Sequence, residues 1–130
     1  MKYLLDTHAL IWCLSDDAAL SAETRRELLD EANQVFASAA SLWELGIKYS
    51  VGKIDIHPDM VAVAAVQSDF GILDVTTQHA IAIATLPLVE GHRDPFDRLL
   101  VAQARAEGMI LVTSDRKIVG NYDVRTLYCC

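Results

Sequence analysis

Residues 94–115 read DPFDRLLVAQARAEGMILVTSD, and this stretch decides the fold class. Pro95 to Glu107 carries the most regular helical pattern in the chain, with Leu99, Leu100, Ala102, Gln103 and Ala106 defining its faces. Asp94-Pro95 is a starting pair, a carboxylate cap followed by the favoured first-turn proline. Gly108 is the expected stop. Met109-Ile-Leu-Val112 then forms an apolar run of strand length, as a strand covered on both faces requires.

The same alternation runs outward along the chain. Tyr3-Leu4-Leu5 is a short strand ending at Asp6, and Thr7 to Leu14 reads as a helix. Ser21 caps a polar-faced helix predicted to reach Ala32. Gln34 to Ala37 is a second strand, and Ser41 to Tyr49 a helix closed by Gly52. Asp59 to Phe70 is helical and apolar nearly all round, with Gly71 as its stop; this pattern fits plain core or a surface covered by a partner. Ile72 to Val75 is a third strand, Thr77 to Leu86 a helix ended by Pro87, and Val124 to Leu127 a further strand. Strands alternating with helices predict a parallel sheet covered on both faces, with the site at the carboxyl ends of its strands.

At 130 residues the chain fits one domain, 1–130, and is large enough to bury a core without staples. A composition of 52% hydrophobic and 22% charged residues excludes disorder and solenoids. Eleven Lys and Arg against eighteen Asp and Glu give a net charge of −7, which argues against holding nucleic acid by bulk charge attraction. Three cysteines with no zinc-ligand spacing predict reduced thiols in a cytoplasmic protein. The start MKYLLDTHALIWCL is interrupted by Asp6 and His8 and is read as the first strand and helix rather than a signal peptide. The apolar runs are too short to span a bilayer.

Four acidic points recur where strands end and helices begin: Asp6 in LLDTH, Glu44 in SLWELGIK, Asp94 and Asp97 in HRDPFDR, and Asp115 in LVTSD. Each has a capping explanation. Ser41-Leu-Trp-Glu44 matches a capping box, Asp94 a cap before proline, and Asp97 a carboxylate at the positive end of a helix. If the strand ends converge, however, several carboxylates share one cleft. Like charges a few ångströms apart cannot all stay ionised unaided. Mg²⁺, which takes a few carboxylates and keeps several waters, is a fitting partner.

These blocks, in their order and with their neighbours, resemble the acidic signature of PIN-domain proteins, and in particular the VapC-type ribonuclease toxins of bacterial toxin–antitoxin pairs. The resemblance spans essentially the whole chain. It implies a three-layer α/β/α sandwich with a short, mostly parallel central sheet. It also implies Mg²⁺- or Mn²⁺-dependent endoribonuclease activity on tRNA or rRNA, with 5′-phosphate and 3′-hydroxyl products. The implied partners are a cognate VapB-type antitoxin and a second copy of the chain in a homodimer. Carried over, Asp6, Glu44 and Asp97 are metal ligands and catalytic, and Asp115 is a fourth acid acting directly or through water. Asp94 adds charge behind them, and Thr113 matches a hydroxyl able to bond a ligand carboxylate.

Other residues have weaker claims. His8 and His92 lie near two of the acids, with a structural or supporting role, while His57 and His79 carry no signal. Arg93 and Arg98 flank the start of the long helix and are the best candidates for phosphate contacts, with Lys48, Lys53 and Arg116 behind them. Trp12 and Trp43 suit packing, and alternatively base stacking or anchoring of an antitoxin. A non-catalytic binding module on the same fold is the competing reading. An aspartyl-phosphate enzyme is disfavoured because Asp6 is followed by Thr7-His8-Ala9, with no DxD pair.

Overall fold

Strand β1 (Lys2–Leu5) sends its side chains alternately into two apolar layers, Tyr3 and Leu5 into one and Leu4 into the other. The computed structural model describes residues 1–130, and this alternation organises it. On one face, Tyr3 and Leu5 join Val35 and Ala37 of β2 (Gln34–Ser38) and Ile110 and Val112 of β4 (Ile110–Thr113). They pack against α1 (Thr7–Leu14), α2 (Ala22–Leu29), α3 (Ala39–Ser50) and α4 (Pro58–Gln67) through Ala9, Leu10, Leu28, Leu45, Val61 and Ala65. On the other face, Leu4 and Leu111 meet Leu100, Val101 and Ala104 of α6 (Pro95–Glu107), with Leu86, Ile118 and Tyr122 closing the layer. Burial of each large aliphatic side chain contributes roughly 1.5–3 kcal/mol. The result is a three-layer α/β/α sandwich.

The sheet has five strands in the order β3-β2-β1-β4-β5, all parallel, where β3 is Gly71–Leu73 and β5 is Thr126–Tyr128. The chain starts in the middle, builds outward through β2 and β3, then crosses to the other side of β1 for β4 and β5. The reversal falls between β1 and β4. At such a switch point the connections leave in opposite directions and open a crevice at the carboxyl ends of the strands.

Local chemistry explains most boundaries. Ser21 caps α2, its Oγ accepting from Thr24 N at 3.1 Å. Gly108 takes the left-handed conformation (φ +65°) that ends α6. Several expectations are corrected. Helix α2 stops at Leu29 rather than Ala32, because Asn33 Nδ2 donates to the Glu27 carbonyl at 2.9 Å and the Asp30 carboxylate holds Ala32 N in a turn. Helix α4 ends at Gln67, where Asp69 adopts φ +63°, so Gly71 is not its stop. Gly71 instead opens β3, and a Cβ there would sit 2.6 Å from the Phe36 ring. Helix α5 (Thr77–Ala82) gives way to a 3-10 turn at Ile83–Thr85, and β5 begins two residues later than its apolar pattern suggests.

Helix α4 is not plain core. Val61 and Ala65 are buried, while Met60, Val63 and Val66 are at least half exposed. His57 and His79, without signal in the sequence, both cap helices: His57 Nδ1 accepts from Asp59 N, and His79 Nδ1 accepts from Thr76 N. All three cysteines are free thiols. No helix is long and apolar enough to cross a membrane.

Candidate functional site

The crevice at the β1/β4 reversal begins with Asp6. Its backbone N donates to the Val112 carbonyl at 2.9 Å, continuing the β1–β4 pairing. Its Oδ1 accepts from Ala9 N at 2.7 Å and caps α1, while Oδ2 accepts from Ser114 N at 3.3 Å. One buried carboxylate therefore spans the ends of two strands.

Glu44 reaches the same crevice from α3 in a way the sequence did not predict. Ser38, not Ser41, caps this helix, with its Oγ accepting from Ala40 N. Glu44 consequently lies in the second turn, and the expected capping box does not form. Its Oε1 accepts from the Thr7 hydroxyl at 2.7 Å, and Oε2 pairs with Lys48 Nζ at 3.1 Å. Thr7 and Ser41 are both buried, with Oγ atoms 3.0 Å apart. Because a carboxylate only accepts, the Thr7 proton goes to Glu44 and Ser41 supplies the next one.

Asp94 caps α6 as expected, its Oδ1 accepting from Phe96 N at 2.9 Å and Asp97 N at 3.1 Å. This frees the Asp97 carboxylate to face the crevice. Asp115 follows β4, and its Oδ1 accepts from Lys117 N at 2.9 Å. Thr113 is fully buried; its Oγ1 accepts from Asp115 N at 3.0 Å, and its hydroxyl helps hold the Asp6 carboxylate.

Asp6, Glu44, Asp94, Asp97 and Asp115 thus line one cleft of about 390 Å³ together with Thr7, His8, Lys48 and Ser114. None of the nine residues is hydrophobic. His8 is exposed at its edge, stacked on Trp12 with ring centroids 5.6 Å apart. Arg93 and Arg98 lie elsewhere, in a neighbouring hollow of about 530 Å³ that His92 also lines. Arg98 is engaged there, with Nη1 donating to the Pro87 carbonyl at 2.9 Å and to Tyr122 Oη at 3.2 Å. Arg116 sits over the Tyr128 ring at 4.4 Å. Trp43 is 61% exposed and meets Phe96 edge-on at 4.9 Å, beside the start of α6.

Crowding has an electrostatic consequence. Burial, then the charges of Asp94, Asp6, Glu44 and Asp115, push the Asp97 carboxyl up to about 7. Burial also raises Asp6, opposed by the hydrogen bonds from Ala9, Thr113 and Ser114. His92 adds a further demand. It is 4% exposed, and its Nε2 is the one buried side-chain nitrogen or oxygen in the molecule with no hydrogen-bond partner. That atom lies 3.4 Å from Asp115 Oδ2 and 3.7 Å from Asp97 Oδ2. Clustered carboxylates that repel one another, beside an unpaired nitrogen, fit a divalent cation.

A family model described as the PIN domain matches residues 3–122. The chain belongs to the PIN-domain family. The PIN fold extends over solved structures of low sequence identity. The DNA-bound VapBC of Salmonella typhimurium is 21% identical, with a TM-score of 0.70 over 100% of this chain and 99% of that one. VapBC2 of Rickettsia felis, bound to a promoter DNA fragment, is 18% identical, with a TM-score of 0.69 over 98% of each chain. FitAcB of Neisseria gonorrhoeae is 19% identical, with a TM-score of 0.63 over 96% of each chain. No curated protein matches this PIN domain.

The sequence names the acids of the cleft and one of their supports, Thr113. The supporting roles of Thr7, Ser114 and Tyr122 are missed, and nothing local marks that of Tyr122. The adjacency of Thr7 to Asp6 and of Ser114 to Asp115 was the available signal.

Proposed function

We propose that this PIN domain is a metal-dependent endoribonuclease, the toxin of a toxin–antitoxin pair acting in the cytoplasm on tRNA or rRNA. The observation that carries this reading is the meeting of Asp6, Glu44, Asp97 and Asp115 in one polar cleft, with Asp97 pushed up to about 7 by its neighbours. Asp6, Glu44 and Asp97 would hold Mg²⁺ or Mn²⁺, and Asp115 would hold it directly or through water. When bound, the cation lowers the pKa of water and neutralises charge on the phosphoryl oxygens.

The chain's own residues do the rest. The amides of Ala9 and Ser114 and the hydroxyl of Thr7 aim the Asp6 and Glu44 carboxylates before substrate arrives. Lys48, paired with Glu44, offsets part of the acidic field at the rim. Arg93 lines the adjacent hollow, a suitable place for the phosphate next to the one being cut. A short, locally anchored RNA contact also suits the net charge of −7. The antitoxin and RNA assignments draw on the VapC resemblance and on the shared fold of chains solved in VapBC complexes. The exposed Met60, Val63 and Val66 face of α4 supports a homodimer or antitoxin contact.

Incubation of purified, antitoxin-free protein with structured RNA tests the proposal. Cleavage is expected with Mg²⁺ or Mn²⁺, none in EDTA, and none by folded Asp6→Asn or Asp97→Asn. Binding without cleavage under all conditions would favour a non-catalytic module. Undiminished cleavage by both variants would overturn the site.

A further inference from the structure

The proposed ligands are all oxygens, yet the buried unpaired atom beside the cleft is a nitrogen. We propose that His92 Nε2 ligates a divalent cation held between Asp97 and Asp115. This would give the domain a second, mixed nitrogen–oxygen position beside the one formed by Asp6, Glu44 and Asp97. The inference deepens the metal-dependent reading above and rests on it.

Three observations converge on His92. First, Nε2 is buried and has no partner, a costly state for a polar atom unless something meets it. Second, its separations from the two carboxylates are wrong for hydrogen bonds and right for a shared ion. At 3.4 and 3.7 Å both lie outside good N–H···O geometry. Atoms about 2.1 Å from a common cation stand roughly 3.0–3.4 Å apart, so a small closure suffices. One ligand atom from each of His92, Asp97 and Asp115 lies within 4.8 Å of the other two.

Third, the opposite edge of the ring is already oriented. His92 Nδ1 lies 2.7 Å from Tyr122 Oη, and the rings meet edge-on at 5.5 Å. Arg98 Nη1 also donates to that oxygen, from 3.2 Å. When a cation takes Nε2, the ring proton sits on Nδ1 and is donated to Tyr122 Oη, so the same contact holds the imidazole with its Nε2 lone pair toward the acids. This is the outer-shell arrangement that sets the tautomer of ligating histidines. Arg98 then acts by positioning Tyr122 and the ring.

A nitrogen donor shifts preference away from Mg²⁺ and toward Mn²⁺. The test is Mn²⁺ titration of the purified full chain, read by pulsed EPR for imidazole-nitrogen coupling, with Mg²⁺ affinity measured by calorimetry. Wild type should show the coupling and bind Mn²⁺ about tenfold more tightly than Mg²⁺. His8→Asn, which removes the histidine that lines the cleft itself, should keep the coupling. His92→Gln should lose it along with most of the Mn²⁺ preference, while still binding Mg²⁺. Should His92→Gln fail to fold, wild type and His8→Asn decide the matter. Mg²⁺ binding with no nitrogen coupling in wild type, or coupling lost in His8→Asn, overturns the role of His92 alone. Failure of both ions to bind overturns the metal-dependent reading with it.

Discussion

The Thr7 hydroxyl donates to Glu44 Oε1 at 2.7 Å, tying the first turn of α1 to the second turn of α3. It sits next to Asp6, so one contact sets the distance between two of the acids. Thr7→Val keeps the side-chain shape and removes the donor. The expected loss is about 1–2 kcal/mol in urea unfolding. Mg²⁺ affinity should fall about tenfold as Glu44 loses its orientation. Unchanged Mg²⁺ binding would show that Lys48 alone suffices to place Glu44.

Asp97 makes the metal-free protein pH-sensitive. Its carboxyl stands at about 7 in the folded state against an ordinary 3.8, so the folded chain binds the proton more tightly than the unfolded one. Its contribution to stability is greatest at low pH, falls as pH rises from about 4 to 7, and is flat above. Asp97→Asn removes this slope. At pH 8 in EDTA the variant should melt about 5 °C higher than wild type, and Mg²⁺ should no longer raise its Tm. A variant that melts lower than wild type at pH 8 would mean the acids do not repel as described.

Gly71 and Phe36 approach so closely that no side chain fits between them. A Cβ at Gly71 would meet the Phe36 ring at 2.6 Å. Gly71→Ala should destabilise by about 1–3 kcal/mol in denaturant unfolding. Gly71→Ala combined with Phe36→Leu should recover part of that loss.

Gln103 joins three elements inside the core. Ser38 Oγ donates to its Oε1 at 2.5 Å, while its Nε2 lies 3.3 Å from both the Asp74 carbonyl and His79 Nδ1. Gln103→Leu leaves the buried Ser38 hydroxyl without its acceptor, while His79 Nδ1 keeps its bond from Thr76 N. A loss of about 2–3 kcal/mol is expected in urea unfolding. A near-neutral result would mean that water replaces the amide.

Trp43 is exposed beside the start of α6, where packing does little to explain it. Trp43→Ala should change stability by less than about 1 kcal/mol. If a base stacks on this ring, KM for RNA should rise about tenfold with kcat nearly unchanged. Equal KM values would exclude Trp43 from the RNA path.

The elements themselves were legible because their signals are local. Apolar period, the Ser21 and Asp94-Pro95 starts and the Gly108 stop each act within a few residues, and the structure follows them. Misplaced boundaries have two sources: local side-chain bonds the apolar period does not show, as from Asp30 and Asn33 at the end of α2, and non-local contacts, as at Gly71, whose neighbour Phe36 lies on another strand.

The sequence by itself determined an α/β chain of parallel strands and the acids standing at its strand ends and helix starts. Tertiary structure alone decided that β1 lies beside β4, which brings the Asp6 carboxylate to Ser114 N across 108 residues of chain. It also decided that Glu44 bonds Thr7 rather than its own helix cap, and that His92 is buried with one nitrogen unpaired. The physical reason is range: caps and periodicity are set by neighbours in sequence, whereas a carboxylate cluster depends on strand order and on which side chains the packed layers leave facing the same cleft.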